Sequence, residues 1–251
     1  MNNNMNENYT FQEYFRNIVT NDLEIFRNLT MWSDKTKKEF SDLLEDLNRM
    51  PESVTETTRS IGDKLENIVK FIIDKSFFFK VHKNIHTASN EIDEIIVLSD
   101  EGKQALHKFD LSRELLQIDS NIVLGECKNY SDPLNVTYVG KFYSLLISTG
   151  VNFGIIFTKM GLTGKPNEFH DAYGLIKVLR IIEKYQNQRD LRILWFDRND
   201  YKLMAEGVSF YKLIETKKIS LDLSTRYEEL LKQYSHDNSD EIRIAVNEIT
   251  C

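Results

Sequence analysis

Glu126 and Lys128 stand two residues apart at the end of Ile122-Val123-Leu124-Gly125-Glu126-Cys127-Lys128, a short and otherwise apolar run. A strand has a side-chain period of two, so both charges leave the same face. Desolvating a carboxylate and an ammonium there is costly unless a metal ion, a substrate or each other compensates them. Upstream, Asn90-Glu91-Ile92-Asp93-Glu94-Ile95-Ile96-Val97-Leu98 is a second apolar strand carrying charge. Asp93, Glu126 and Lys128 together suit hydrolysis of a phosphodiester at a divalent metal. Carboxylate oxygens hold a hard cation. The cation activates water and offsets charge on the leaving oxygen, and the lysine orients the water or helps deprotonate it and stabilises the transition state. Taken alone, Glu126 and Lys128 are an ordinary strand-end pair worth under about 1 kcal/mol; Asp93 gives them their weight.

The elements that must position these residues follow from periodicity. Apolar residues at Phe11, Tyr14, Phe15, Ile18, Val19, Leu23 and Phe26 predict a helix, and Phe40, Leu43, Leu44 and Leu47 predict another over 33–50, stopped by Pro51. This hairpin packs on the main domain or forms an arm for a partner. Residues 52–60 read as a linker. Ile61, Leu65, Ile68, Val69 and Ile72 predict a helix over 58–75 that carries Glu66. A strand over 77–81 and a turn near Lys83-Asn84 follow. Strand 90–98 is expected to break at Asp100-Glu101-Gly102, ahead of a mixed insertion with a short helix over 111–116. Strand 121–128 leads to a loop at Tyr130-Ser131-Asp132-Pro133. Then come helix 136–148, strand 153–158, helix 168–185, strand 191–196 and helix 200–215. Strands separated by such helices predict an α/β fold, a mixed central sheet flanked by helices. The expected organisation is a polar tail and helical arm over 1–55, a catalytic domain over 56–216 and an accessory segment over 217–251.

Composition sets bounds. The 251-residue chain is 41% hydrophobic and 28% charged, with 10 Gly and 3 Pro, as expected of a globular protein with a full core. Its net charge of −7 argues against a protein that coats nucleic acid non-specifically. Two cysteines, Cys127 and Cys251, make neither a disulfide framework nor a zinc set. With no signal peptide and no membrane-spanning run in the sequence, the expectation is a cytoplasmic protein.

Other motifs carry less. Gly161-Leu162-Thr163-Gly164-Lys165-Pro166 hints at a phosphate loop, but Lys159 and Pro166 occupy positions where a Walker A motif needs Gly and Ser or Thr. His82 and His86 are spaced like zinc-protease ligands but lack the intervening Glu. Cys127 has no His partner in view and reads as a small core residue. Asn129 and Tyr130 are placed to line the mouth of the site.

The order helix, three strands, helix, strand, helix, strand, helix resembles the PD-(D/E)xK nuclease superfamily. The closer likeness is to the Mrr-like (type IV) restriction endonuclease catalytic domain. It is carried by Glu66, by Glu91-Ile92-Asp93, by Gly125-Glu126-Cys127-Lys128-Asn129-Tyr130, and by Phe153-Gly154-Ile155-Ile156-Phe157-Thr158 with Gly161-Leu162-Thr163-Gly164. It covers roughly residues 57–215. Ile92 stands where the family name places Pro, and residues 99–120 lengthen the gap between Asp93 and Glu126. The resemblance implies a restriction-endonuclease-like core with an N-terminal helical extension. It implies a Mg²⁺-dependent endonuclease, with Mn²⁺ as a substitute, acting on DNA rather than RNA in defence against foreign DNA. Asp93, Glu126 and the Cys127 backbone carbonyl would hold the metal, Glu66 would complete the cluster directly or through water, and Lys128 would act on the water and the phosphate. The N-terminal helices would serve a homodimer or a partner subunit. The alternative is a silent nucleic-acid-binding or regulatory subunit of a defence complex, active only with a partner.

Overall fold

Alternating apolar residues and β-branched runs set the strands, and capped amphipathic stretches set the helices around them. A computed structural model describes residues 11–49, 58–86, 91–165 and 169–223. The helices α1 (Phe11–Thr30), α2 (Asp34–Asn48) and α3 (Thr58–Lys75) precede strands β1 (Phe79–His86) and β2 (Glu91–Leu98). Helix α4 (Asp100–Lys108) and a 3₁₀ turn at Arg113–Leu116 lead into β3 (Ile122–Lys128). Then follow α5 (Val136–Thr149), β4 (Phe153–Thr158), α6 (Asp171–Tyr185), β5 (Arg192–Phe196), α7 (Arg198–Ala205) and α8 (Phe210–Leu223).

The five strands form one mixed sheet in the order β1-β2-β3-β4-β5. β1–β2 and β2–β3 pair antiparallel; β3–β4 and β4–β5 pair parallel. This is the expected mixed α/β sheet flanked by helices. β3 is the strand at which the sense of pairing changes, antiparallel to β2 and parallel to β4.

Helix α5 packs over one face. A Cβ on Gly154 would lie 2.6 Å from the Phe142 ring and 2.8 Å from Leu146, so only glycine lets β4 approach this helix. The other face meets α3 through fully buried Leu65, Ile68 and Ile72. The N-terminal hairpin is part of the same core. Phe26, Phe40, Leu44 and Leu47 join its buried cluster, and α2 packs against α3 and α7.

Several boundaries differ from the sequence reading. β1 runs through Lys83-Asn84 to His86, with no turn there. It is an edge strand, where polar side chains such as Lys80 and His82 face solvent and the apolar alternation weakens. Asp100-Glu101-Gly102 opens a helix instead of a break, because the Ser99 hydroxyl accepts the Gly102 amide at 2.9 Å as an N-cap. The single helix expected over 200–215 is two helices. Gly207, at φ +109°, follows the end of the first, α7, and the Ser209 hydroxyl caps the second by accepting the Lys212 amide. Helix α6 begins at Asp171; the expected start at Glu168 lies outside the described residues, as do the polar tail, Pro51 and everything beyond 223. Helix α8 itself continues past 216. Among the described residues no helix is long and apolar enough to cross a membrane.

Candidate functional site

The ladder between β2 and β3 stops at Glu94↔Gly125. β2 stays paired with β1 down to Glu91, and β3 stays paired with β4 out to Lys128↔Thr158. The sheet therefore forks between β2 and β3, leaving backbone groups to be satisfied by other means. Asp93 supplies one: its Oδ2 accepts the Cys127 amide at 3.0 Å. The same oxygen lies 2.8 Å from Lys128 Nζ, which is also 2.8 Å from Glu126 Oε1. All three side chains are about a fifth exposed (22%, 22% and 21%), so the cluster opens to solvent at one end.

Burial alone lowers the pKa of Lys128. The charges of Glu126 and Asp93 and their hydrogen bonds outweigh it and hold the ammonium above the ordinary lysine value. Lys128 is thus cationic at neutral pH. With two carboxylates and one ammonium, the cluster retains one net negative charge, and its donors are hard oxygens.

Glu66, expected to complete this set, is turned elsewhere. Its Oε2 is 3.4 Å from Lys83 Nζ. Lys83, Glu94 and Gly125 are aligned across β1, β2 and β3, so Glu66 belongs to the α3 face. Consecutive Asp93 and Glu94 must point to opposite sides, and Glu94 takes the buried one. It is 0% exposed, in line with Ile92 and Ile96, with Oε2 lacking a partner and Cys127 Sγ 3.9 Å from Oε1. Gly125 makes room for it, since a Cβ there would lie 2.7 Å from Glu94 Cβ. Desolvation is the main cause that pushes Glu94 up to about 8; Lys83 opposes it, and the charges of Glu66 and Asp93 add to it. Burial foremost, then Glu94, Asp93 and Glu66, raises the Cys127 thiol well above its usual value. It is no nucleophile at neutral pH.

Two groups escape sequence reasoning. Glu94 was legible in principle, because two acids in a row on a strand cannot both face solvent in a sheet covered on both sides. Thr158, across from Lys128, is 0% exposed with its hydroxyl unpartnered. An apolar strand ending in Thr gives no sign of that.

Among the described residues no three His, Cys, Asp or Glu side chains converge as a metal-ligand group. Asp93 and Glu126 alone still suit Mg²⁺, which keeps several waters and is commonly held by one or two carboxylates plus substrate phosphate. Comparison of the chain with protein-family models, with curated proteins and with solved structures finds no match. The functional reading therefore rests on this geometry and on the resemblance of the motifs.

Proposed function

We propose that the chain is a divalent-metal-dependent nuclease with a restriction-endonuclease-like core, hydrolysing DNA phosphodiester bonds in defence against foreign DNA. One observation carries this reading: Lys128 Nζ lies 2.8 Å from both Asp93 and Glu126 at the fork where β2 and β3 part. That places a fixed cation and two acids at the open end of a strand where the pairing sense changes. The element order from α3 to β5 agrees with the family that the motifs resemble.

Asp93 and Glu126, with the Cys127 carbonyl, would hold Mg²⁺ or Mn²⁺. When bound, the ion polarises the phosphate and lowers the pKa of its water. Asp93 also anchors β3 through the Cys127 amide, so one carboxylate both builds the fork and serves the site. Lys128, held protonated, contributes as a positive charge toward phosphate oxygens rather than as the proton acceptor. Incubation with plasmid DNA and with single-stranded RNA, in Mg²⁺ or in chelator, tests the reading. Cutting is expected on DNA, only with metal, and is lost in Asp93→Ala. Cutting that survives Asp93→Ala refutes the site. A second reading, a silent subunit that binds nucleic acid or regulates a defence complex, draws on the Glu66–Lys83 pair, which withholds a third carboxylate. It predicts no cutting by the chain alone and cutting once a partner is added.

A further inference from the structure

Beside the acidic cluster stands an aromatic pair that the proposed hydrolysis does not use. Tyr130, two residues beyond Lys128, is 41% exposed. Its ring centroid is 5.4 Å from that of Tyr138, tilted by 51°. Tyr138, in the first turn of α5, is half-buried against the core. The loop bearing Tyr130 is fixed at its far end. Leu134 bridges to Leu162, donating to the Gly161 carbonyl at 2.9 Å and accepting the Thr163 amide at 2.8 Å. Tyr130 follows Lys128, the last residue of β3, by two positions, so the chain itself sets it next to the cluster. From Glu126 a groove of 630 Å³ continues over α5, lined by Gly140, Lys141, Ser144 and Ser148.

We propose that Tyr130, braced by Tyr138, is a stacking platform for an unpaired nucleobase next to the Asp93–Glu126–Lys128 cluster, so that the site takes single-stranded DNA in preference to intact duplex. This rests on the phosphodiesterase reading of the cluster. A base inside a duplex has both faces covered by its neighbours. An exposed ring can stack only on a base that is single-stranded, frayed or flipped out. The net charge of −7 gives the chain as a whole no excess of cations with which to hold a duplex backbone. Stacking supplies affinity that needs no such surface and tolerates any sequence, because every base offers a π-face. A platform tied down at both ends holds its geometry before the strand arrives.

The test uses the full chain and a labelled oligodeoxynucleotide, single-stranded or as a blunt-ended duplex. Binding is followed by fluorescence anisotropy in chelator, and cleavage in Mg²⁺. Tighter binding to the single strand is expected. Tyr130→Ala should weaken it by about five- to a hundredfold, with an unchanged melting temperature, and Tyr130→Phe should retain it. The loss should be similar at low and high salt. Equal binding of both forms, no binding of either, no effect of Tyr130→Ala, or equal losses in Tyr130→Ala and Tyr130→Phe each overturn the platform. Single-strand binding through Tyr130 without any cleavage overturns the phosphodiesterase reading and leaves the platform standing. Cleavage of duplex and single strand alike, undisturbed in Tyr130→Ala, does the reverse.

Discussion

Lys128 neutralises half of the charge on Asp93 and Glu126, and its removal takes away the ammonium that the two carboxylates share. On the proposed nuclease reading, Lys128→Ala is expected to lower the DNA cleavage rate by about a hundred- to a thousandfold, read on the labelled single-stranded oligodeoxynucleotide at saturating Mg²⁺. Glu94 makes a separate prediction. Burial raises its pKa from the ordinary carboxyl value of 4.5 to about 8 in the folded chain. Below the unfolded value both states bind the proton, so nothing is lost there. Above it the unfolded state releases the proton while the folded state keeps it, and stability declines as pH rises from about 4.5 through about 8. Glu94→Gln removes that decline. The variant should match the wild type near pH 4.5 and exceed it at pH 8, measured by urea denaturation across the range. The contrast between these residues shows what the sequence made legible. Period two alone put Glu126 and Lys128 on one face. Asp93 joins them because the fork frees the Cys127 amide for its carboxylate, a tertiary event with no local signature. Glu66 could be placed on a helix, but its pairing with Lys83 depends on how α3 lies across the sheet.

At the scale of elements, the meeting of β2 and β3 depends on Gly125. A methyl group there would stand 2.7 Å from Glu94 Cβ, and neither backbone can withdraw without opening the ladder. Gly125→Ala should destabilise the fold by about 1–3 kcal/mol, seen as a lower urea midpoint, and should also reduce cleavage by displacing Glu126. Most elements could be read from the sequence because their apolar stripes are continuous, as in α3 and β4. The failures have local causes. An edge position gave β1 polar residues that mimic a turn. A Ser99 cap turned Asp100-Glu101-Gly102 into the start of a helix. One left-handed glycine, Gly207, split what reads by periodicity as one helix.

For the whole molecule, the question is whether the N-terminal hairpin is an appendage. Phe40 is fully buried, its ring 4.8 Å from Trp32 and 5.5 Å from Phe71 of α3. Trp32 in turn donates to the Lys75 carbonyl at 3.1 Å. Lys159, just beyond β4, donates to the Leu47 carbonyl at 3.0 Å. These contacts tie α2 to the sheet as well as to α3. Phe40→Ala should cost about 3–5 kcal/mol. Near-ultraviolet and far-ultraviolet circular dichroism should melt together in a single transition. A separate early transition of the helices would instead identify a detachable arm.

The excursion through α4 and the 3₁₀ turn carries one more implication. It separates Asp93 from Glu126 and Lys128 along the chain, and at its tip Phe109 and Asp110 are exposed, with Asp110 at φ +50°. A break in the backbone at that tip divides the molecule into two fragments, one holding the aspartate and the other the glutamate and lysine. Neither fragment holds the whole Asp93–Glu126–Lys128 cluster. On the proposed nuclease reading, hydrolysis would then report reassembly of the halves, which suits the protein to a split reporter whose signal arises only when its two parts are brought together.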